Sequence, residues 1–279
     1  MKKGISLLLW TPFVEARHLP ILAELAAMGY DGVEVPVAAG EEDAHYTWLG
    51  AELSKLGLEA TAVGFLQVDE DPASADAATR ARAVQRLAHL ARRAHALGAE
   101  ILAGPVHEAY AHFPGPIQAE EVARAAESLS AGADLAADTG VSILIEPLNR
   151  FESRLANTIE QAAAIVRMAG HPQLGVVLDT HHAHLEAHDL EDSIRTVGPL
   201  IQHVQLSENH RGVPGSGQVD FAKVAKTLQE IGYEGWLVIE AFSRIDPDLG
   251  DLLHVWRGLA DDWQLVSRKG LEVIEASWG

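Results

Sequence analysis

Hydrophobic and polar positions repeat in one pattern along most of the chain. A helical stretch rich in alanine and leucine ends at a glycine, and a short run rich in β-branched residues follows within a few positions. Glycine after a helix readily adopts the left-handed conformation that ends it. The runs that follow such a glycine cover residues 32–35, 59–64, 101–104, 141–146, 201–207 and 236–240. Two further runs, 7–9 and 175–179, bring the predicted strands to eight.

The alternation of these elements predicts the fold. Short, mostly apolar strands between helices favour parallel strands that are buried on both faces. We therefore predict an α/β protein in which residues 1–279 form a single-domain (β/α)8 TIM barrel. An open doubly wound sheet is the alternative, but the sequence lacks the GxGxxG turn after the first strand that would favour it. Longer loops are expected at 69–76 and 107–116, at the mouth of the barrel.

Composition narrows the range of partners. With 279 residues, of which 48% are hydrophobic, the chain can bury a large core. Its net charge of −19 would repel nucleic-acid phosphates and anionic membranes. The chain has no cysteine, which excludes disulfides and thiolate metal sites and fits a reducing compartment. No run approaches the roughly 18 apolar residues of a membrane span. We therefore expect a cytoplasmic protein that binds neither nucleic acid nor membrane.

Three of the predicted strands end in a carboxylate. Glu146, Asp179 and Glu240 close the runs 141–146, 175–179 and 236–240, and the strand between the last two contains Gln205. Active sites of (β/α)8 barrels lie at the C-terminal ends of the strands, and residues two apart on a strand share a face. If these side chains point inward, the four polar groups converge near the barrel axis.

Three buried carboxylates in one place require a counter-charge. Without one, their repulsion would force protonation. A divalent cation removes that penalty, and oxygen ligands suit Mg²⁺ or Mn²⁺. We therefore predict one divalent metal ion bound by Glu146, Asp179, Gln205 and Glu240. Taken singly, each acid could instead cap a helix or form a salt bridge at a strand end.

Four segments of the second half resemble motifs of the ketose 3-epimerases, a group that includes the D-tagatose and D-psicose 3-epimerases. They are EPLNRFE at 146–152 (followed by Asn157 and Thr158), LDTHH at 178–182, ENHRGVPGSG at 208–217 and VIEAF at 238–242. The first half of the chain is similar mainly in its rhythm of strands and helices. That group belongs to the xylose isomerase-like barrels, so the resemblance implies the same fold.

The resemblance also implies roles for individual residues. Glu146, Asp179 and Glu240 would be metal ligands, and Glu146 and Glu240 would also be the acid/base pair that inverts C3 of a free ketose through an enediolate. Glu152, His182 and Arg211 would contact substrate oxygens. The bound ion is expected to be Mn²⁺, with Mg²⁺ or Co²⁺ as alternatives.

One position departs from the family. The epimerases have an H-x-H pattern on strand seven with histidine as the ligand, whereas this chain has His203-Val204-Gln205. Hydroxypyruvate isomerases of the same superfamily have an H-V-Q strand of this kind, but they lack the NRFE and ENxRG signatures. We expect Gln205 to bind the metal through its amide oxygen, with His203 as a core histidine or a substitute ligand.

Further candidates follow from strand ends and loops. We expect Glu34, at the end of strand two, to bond a sugar hydroxyl, and Trp10, at the end of strand one, to form an apolar wall. His107, after strand four, is a candidate for the pocket lining. The glycine-rich loop at 215–217 contains no lysine, which favours an unphosphorylated sugar. A homo-oligomer, either dimer or tetramer, is also predicted.

Several other functions are compatible with such a barrel. An aldose–ketose or hydroxypyruvate-type isomerase would use the same metal site. An endonuclease IV-like phosphodiesterase would need additional histidine and acidic ligands and a basic groove, and the charge of −19 disfavours it. A non-catalytic barrel that binds a sugar or a metal would incorporate no solvent deuterium into any sugar.

Overall fold

Eight parallel strands close into a barrel in chain order, with the first strand paired to the last. The structure is a computed structural model that describes residues 1–40 and 43–279. The strands are Lys2–Ser6 (β1), Gly32–Pro36 (β2), Glu59–Val63 (β3), Ile101–Gly104 (β4), Ser142–Ile145 (β5), Leu174–Asp179 (β6), Ile201–Leu206 (β7) and Trp236–Ile239 (β8). This topology confirms the predicted (β/α)8 barrel.

Helices connect the strands around the outside of the barrel. They are Leu19–Met28 (α1), Ala44–Lys55 (α2), Ala77–Leu97 (α3), Ala119–Leu135 (α4), Ile159–Ala169 (α5), Thr180–Glu186 (α6), Leu190–Val197 (α7), Phe221–Glu230 (α8), Pro247–Leu252 (α9) and Trp263–Trp278 (α10). In the described ranges, 1–40 and 43–279, no helix combines the length and apolarity needed to cross a membrane.

The glycines at the ends of the predicted helices have the expected conformation. Gly29 ends α1 with φ 103°, and Gly98 ends α3 with φ 88°. The glycine N–H in each case donates to carbonyls of the last helical turn, which satisfies oxygens that the helix itself leaves free. The periodic glycines of the sequence therefore mark the ends of helices.

Two layers of apolar side chains fill the fold. The larger core lies between strands and helices and includes Val33, Ile143 and Leu178. A smaller cluster contains Ala103, Leu144 and Val177. Leu144 and Val177 precede Glu146 and Asp179 by two positions, so they share the faces of these acids. The smaller cluster therefore packs beneath the carboxylates and separates them from the far end of the barrel.

Two details of the predicted strands are wrong. Residues Leu7–Leu9 form a 3-10 turn after β1 instead of the first strand, which begins at Lys2. An apolar run alone does not distinguish a strand from a buried turn. Glu34 lies in the middle of β2, paired with Ser6 of β1 and Thr61 of β3, because β2 continues to Pro36. Glu34 therefore points into the barrel below the strand ends.

Candidate active site

The three predicted acids lie together at the C-terminal ends of their strands. Glu146 follows β5, Asp179 ends β6 and Glu240 follows β8. One carboxylate oxygen of each lies within 4.8 Å of those of the other two, and the three residues are only 2–4% exposed. The register of the barrel therefore brings acids that are 94 positions apart in sequence, Glu146 and Glu240, to one point.

Gln205 of β7 lies beside this cluster. Its Nε2 donates to Glu34 Oε1 at 3.1 Å and to Glu240 Oε1 at 3.4 Å. Its Oε1 is buried and has no hydrogen-bond partner among the described residues. A buried oxygen without a donor costs free energy unless another partner, such as a cation, engages it. The three carboxylates form an oxygen-rich group that suits one hard divalent cation, and the free amide oxygen of Gln205 is a candidate fourth ligand.

Arg211 provides positive charge at the cluster. Its Nη1 donates to Asp179 Oδ2 at 3.0 Å and to Glu240 Oε2, and its guanidinium lies 4.6 Å from the centre of the Phe242 ring. Ser207 connects the same groups, since its hydroxyl donates to Asp179 Oδ2 at 2.9 Å and accepts from Arg211 Nη1 at 2.8 Å. The guanidinium thus compensates part of the negative charge of the cluster.

Burial and charge shift the three acids in opposite directions. Burial, reinforced by the carboxylates of Glu240 and Asp179, raises the pKa of Glu146 well above its usual value. Burial also raises the pKa of Glu240, although Arg211 opposes the shift. Burial would raise the pKa of Asp179 too, but Arg211 and the nearby His182 lower it below its usual value. Asp179 is therefore the fixed anion, and Glu146 and Glu240 are the acids that hold a proton more readily.

The contacts of His182 define which of its nitrogens faces the site. The backbone N–H of Asn149 donates to His182 Nδ1 at 3.0 Å, so Nδ1 is an acceptor and Nε2 is the nitrogen that faces the carboxylate cluster. Burial and the charge of Arg211 lower the pKa of His182 well below its usual value, which keeps the ring neutral. Nε2 lies 3.5 Å from Glu146 Oε1 and 2.7 Å from Arg211 Nη2. His182 Nε2 therefore lies between the carboxylate of Glu146 and the guanidinium of Arg211, a group that can only donate.

A cavity of about 230 Å³ opens next to these side chains. Its polar lining includes Glu146, Glu152, His182, Arg211 and Glu240. Most of the remaining lining is apolar and comes from strand ends and the segments that follow them: Leu8, Pro36, Val63, Phe65, Pro105, Leu148 and Phe242. Polar groups therefore face one part of a bound molecule, and an apolar wall faces the rest.

Glu152 is held at the edge of this cavity. Its Oε1 accepts from Asn149 Nδ2 at 2.7 Å, and its Oε2 lies 3.5 Å from the Tyr110 hydroxyl. Arg150, in the same motif, instead pairs with Glu186 at 2.8 Å on the outside of the protein. The motif at 146–152 thus supplies a strand-end acid, an asparagine that orients two polar side chains and a carboxylate at the cavity.

Three other predicted sugar contacts lie elsewhere. Glu34 is fully buried inside the barrel and bonded to His203 and Gln205. Trp10 packs edge-on against Trp263, with ring centres 5.5 Å apart. His107 is fully buried, and its Nε2 lies 3.5 Å from Glu108 Oε1. None of the three is among the residues that line the cavity, and their contact with a sugar stays a prediction from the sequence.

Sequence reasoning missed several residues that organise the site. Asn149 orients His182 and Glu152, and Ser207 bonds Asp179. Glu208 holds the loop that carries Arg211 by accepting from the backbone N–H of Gly215 at 2.8 Å. A Cβ on Gly217 would lie 2.1 Å from Glu208 Oε2, so any other residue there would displace the Glu208 carboxylate from its place. The resemblance of 146–152 and 208–217 to family motifs was the available signal for these roles.

A second group of possible metal ligands lies next to the first. Glu152, His181 and His182 each offer an atom within 4.8 Å of the others. His182 Nδ1 is used by Asn149, and His181 Nδ1 lies 3.0 Å from the carbonyl oxygen of Asn209. Both rings are thus committed to the loops around the site, and the all-oxygen cluster is the stronger candidate for a metal.

Comparison with known proteins adds independent information. Residues 22–275 match the family described as Xylose isomerase-like TIM barrel. The chain is 32% identical over 257 residues to L-ribulose 3-epimerase from Methylomonas sp. (strain DH-1), covering 91% of this chain and 89% of the relative. It is 30% identical over 264 residues to D-psicose 3-epimerase from Agrobacterium fabrum (strain C58), covering 93% and 91%.

A solved structure gives the same similarity in three dimensions. D-Allulose 3-epimerase from Methylomonas sp., in a crystal structure with D-allulose, superimposes with a TM-score of 0.91 at 30% sequence identity. The alignment covers 99% of this chain and 97% of that chain. The similarity therefore includes the first half of the barrel, where the sequence motifs were weak.

Proposed function

We propose that this chain, which belongs to the xylose isomerase-like TIM barrel family, epimerises a free ketose at C3. The relatives described above are ketose 3-epimerases, which are isomerase-class enzymes that act on carbohydrates. The observation that carries the proposal is the convergence of Glu146, Asp179 and Glu240 beside a cavity that also exposes Glu152, His182 and Arg211. This arrangement provides buried acids together with donors for substrate oxygens.

The ligand set supports a metal-dependent reaction. Glu146, Asp179, Gln205 and Glu240 would hold one divalent cation, and we propose Mn²⁺, with Mg²⁺ or Co²⁺ as alternatives. Such a cation supplies positive charge that stabilises the negative charge developing when a carbon next to a carbonyl loses its proton. Support comes from the buried oxygens, whose repulsion and missing hydrogen bond a cation would relieve.

Glu146 and Glu240 are the proposed proton carriers. One carboxylate removes the proton from C3, and the electron pair of the broken C–H bond moves toward the C2 carbonyl oxygen, giving an enediolate. The other carboxyl group then returns a proton to C3 from the opposite face, which inverts the centre. Carboxyl groups with a raised pKa are suited to this exchange, because they hold a proton more readily between the two transfers than an ordinary carboxylate does.

The remaining polar residues of the cavity would position the ketose. His182 places Nε2 beside Glu146, and Arg211 offers a guanidinium beside Asp179 and Glu240. Arg211 can donate to the carbonyl or hydroxyl oxygens near the reacting carbon, and the imidazole of His182 can bond a substrate hydroxyl. Glu152 can accept from a hydroxyl. The apolar wall would exclude water from the part of the sugar that does not react.

Deuterium exchange tests the proposal. The purified protein with Mn²⁺ is incubated in D₂O with L-ribulose and D-psicose, the sugars named for its relatives, and the products are read by NMR. We expect deuterium at C3 and an inverted product. Glu146→Gln and Glu240→Gln should each lower the rate by about 10²- to 10⁴-fold. Glu234→Gln, an exposed acid before β8, should leave it unchanged.

The same spectra separate the alternatives. Deuterium at C1 with formation of an aldose would assign the site to an aldose–ketose isomerase. Absence of label from every ketose tested would support a binding protein without this chemistry. Either outcome would contradict C3 epimerisation. The homo-oligomer and the cytoplasmic location stay predictions from the sequence.

A further inference from the structure

Below the carboxylate cluster, three fully buried polar side chains form a hydrogen-bonded chain inside the barrel. They are Glu34 of β2 and His203 and Gln205 of β7. Glu34 Oε2 lies 2.8 Å from His203 Nε2, and Glu34 Oε1 accepts from Gln205 Nε2 at 3.1 Å. Each carboxylate oxygen of Glu34 therefore has one partner.

These contacts define the role of the His203 ring. A carboxylate accepts hydrogen bonds, so His203 Nε2 donates its N–H to Glu34 Oε2. His203 Nδ1 is buried and has no partner within residues 1–40 and 43–279. The ring thus acts as a support for Glu34, and its nitrogen that faces Glu34 is not available as a metal ligand.

The same contacts select one orientation of the Gln205 amide. If the amide were rotated by 180°, its oxygen would face Glu34 Oε1 at about the distance now taken by the nitrogen, and two acceptors would repel. Nε2 donates to Glu34 Oε1 and also, at 3.4 Å, to Glu240 Oε1, so both of its hydrogens are engaged and the end of the amide that stays free is Oε1. That atom is the one for which the described part of the chain supplies no donor.

We propose that Glu34 is a positioning residue that orients Gln205, so that its amide oxygen rather than its nitrogen serves the metal site. The inference rests on the metal-dependent function proposed above. It gives Glu34 a role other than the predicted sugar contact, and it explains how an amide can replace an imidazole. An amide needs to be held in one of two orientations, whereas both ring nitrogens of a histidine can bind a metal.

A rival explanation is that Glu34 attracts the cation by its charge alone. Two substitutions distinguish the explanations. Glu34→Gln removes the charge but keeps an oxygen that can accept from Gln205, and its amide can donate to His203 Nε2 once the histidine proton moves to the unpartnered Nδ1. Glu34→Met removes both the charge and the acceptor. Gln205→Ala removes the group that Glu34 is proposed to orient.

The experiment measures Mn²⁺ binding by titration calorimetry on the full chain after removal of metal. We expect Glu34→Met to weaken binding about 10- to 100-fold, the usual effect of losing a partner that orients a ligand. Glu34→Gln should stay within about threefold of the wild type. In the Gln205→Ala background, Glu34→Met should cause no further loss, because residues that act through one another are not additive.

Other results would overturn the inference. Equal losses for Glu34→Gln and Glu34→Met would assign the effect to charge, and so would an undiminished loss in the Gln205→Ala background. Wild-type affinity in Glu34→Met would remove any role for Glu34 at the metal. Circular dichroism of the metal-free variants shows whether each one is folded.

A measurement on the wild type does not depend on the folding of a variant. Pulsed electron paramagnetic resonance of bound Mn²⁺ should detect no directly coordinated nitrogen, whereas Gln205→His should introduce one. A coordinated nitrogen in the wild type that disappears in Gln205→Ala would identify the amide nitrogen as the ligand, and one that persists would come from a histidine. Either result would contradict the all-oxygen ligand set and overturn the inference. A wild type that binds no Mn²⁺ would do the same.

Epimerisation of ketoses is assayed in parallel on the same wild-type sample. If the variants show the expected Mn²⁺ affinities but the wild type epimerises no ketose, the proposed function is contradicted and the role of Glu34 is supported. If the wild type epimerises ketoses and Glu34→Met binds Mn²⁺ as tightly as the wild type, only the proposed role of Glu34 is contradicted.

Discussion

The two halves of the barrel contribute different properties to the candidate site. Strands β5–β8 and the loops after them provide Glu146, Asp179, Gln205, Arg211 and Glu240. Strands β1–β4 and their loops provide mostly apolar lining, from Leu8 to Pro105. Glu34 and Tyr110 are polar side chains of the first half that contact residues of the site, Glu34 through Gln205 and Tyr110 through Glu152. The second half thus supplies the charged side chains and the first half supplies most of the apolar cavity wall. This difference explains why the sequence motifs that resemble an enzyme family occur in the second half.

The largest effect should come from removing the cation that the second half is built to bind. We expect chelation to lower the epimerisation rate at least about 10³-fold, since a cation contributes several kcal/mol of charge stabilisation. Added Mn²⁺ at 100 times its Kd should restore the rate and raise the free energy of unfolding by about 2.7 kcal/mol. Kinetics and urea unfolding measure the two quantities. Full epimerase activity of the metal-free protein would contradict the proposal that the second half binds a catalytic cation.

A large effect on stability is expected from an acid of the first half. Glu108, after β4, accepts from the backbone N–H groups of Arg154 at 3.0 Å and Leu155 at 2.8 Å, and so ties its loop to the loop after β5. Burial alone would raise the pKa of Glu108, but His107, the Ser153 hydroxyl and these N–H groups lower it to about 2.

This shift predicts how Glu108 affects stability at different pH values. Because the folded pKa is below the usual 4.5, the contribution is complete above about pH 4.5 and is lost as the pH falls toward 2. Glu108→Gln should therefore lower the free energy of unfolding by about 2–3 kcal/mol at pH 7 and by almost nothing near pH 2. Urea titrations at several pH values test this, with Glu234→Gln as the control. A pH-independent difference would contradict it.

Substitution of Arg211 tests whether the site needs the planar geometry of the guanidinium as well as its positive charge. Arg211→Lys keeps the charge but loses the planar fork that contacts Asp179, Glu240 and Ser207. We expect kcat/KM to fall about 10- to 100-fold, the value of one or two charge-assisted hydrogen bonds. Arg150→Lys is the matched control, because Arg150 forms an exposed pair with Glu186. Equal losses of kcat/KM in both variants would contradict the proposed role of Arg211.

The smallest effect should come from the apolar wall. Phe65 lines the cavity and packs edge-on against Tyr110, with ring centres 6.0 Å apart. Phe65→Ala should raise KM about fivefold, since such an aromatic contact contributes about 1 kcal/mol, and kcat should change little. Val68→Ala, at an exposed position nearby, serves as the control. If Phe65→Ala lowered kcat as much as Glu240→Gln does, the proposed difference between an apolar first half and a catalytic second half would be contradicted.

The sequence by itself determined the order of elements and the identity of the acids. Glycine at helix ends and apolar strands predicted the barrel, because helix termination and strand burial depend on local residue type. Strand-end positions predicted Glu146, Asp179 and Glu240, since parallel strands must present their C-terminal ends at one face. The same reasoning failed for Leu7–Leu9, where an apolar run forms a turn, and for Glu34, because β2 continues past it.

Only the tertiary structure decided what each polar side chain contacts. Hydrogen bonds from Gln205 to Glu34, from Asn149 to His182 and from Arg211 to Asp179 join residues 171, 33 and 32 positions apart. The separation of two residues along the chain does not predict such pairs. They form because the stagger of the barrel strands brings particular positions to the same level. The sequence therefore supplied the chemical groups, and closure of the barrel decided which of them face the cavity and which support others from beneath.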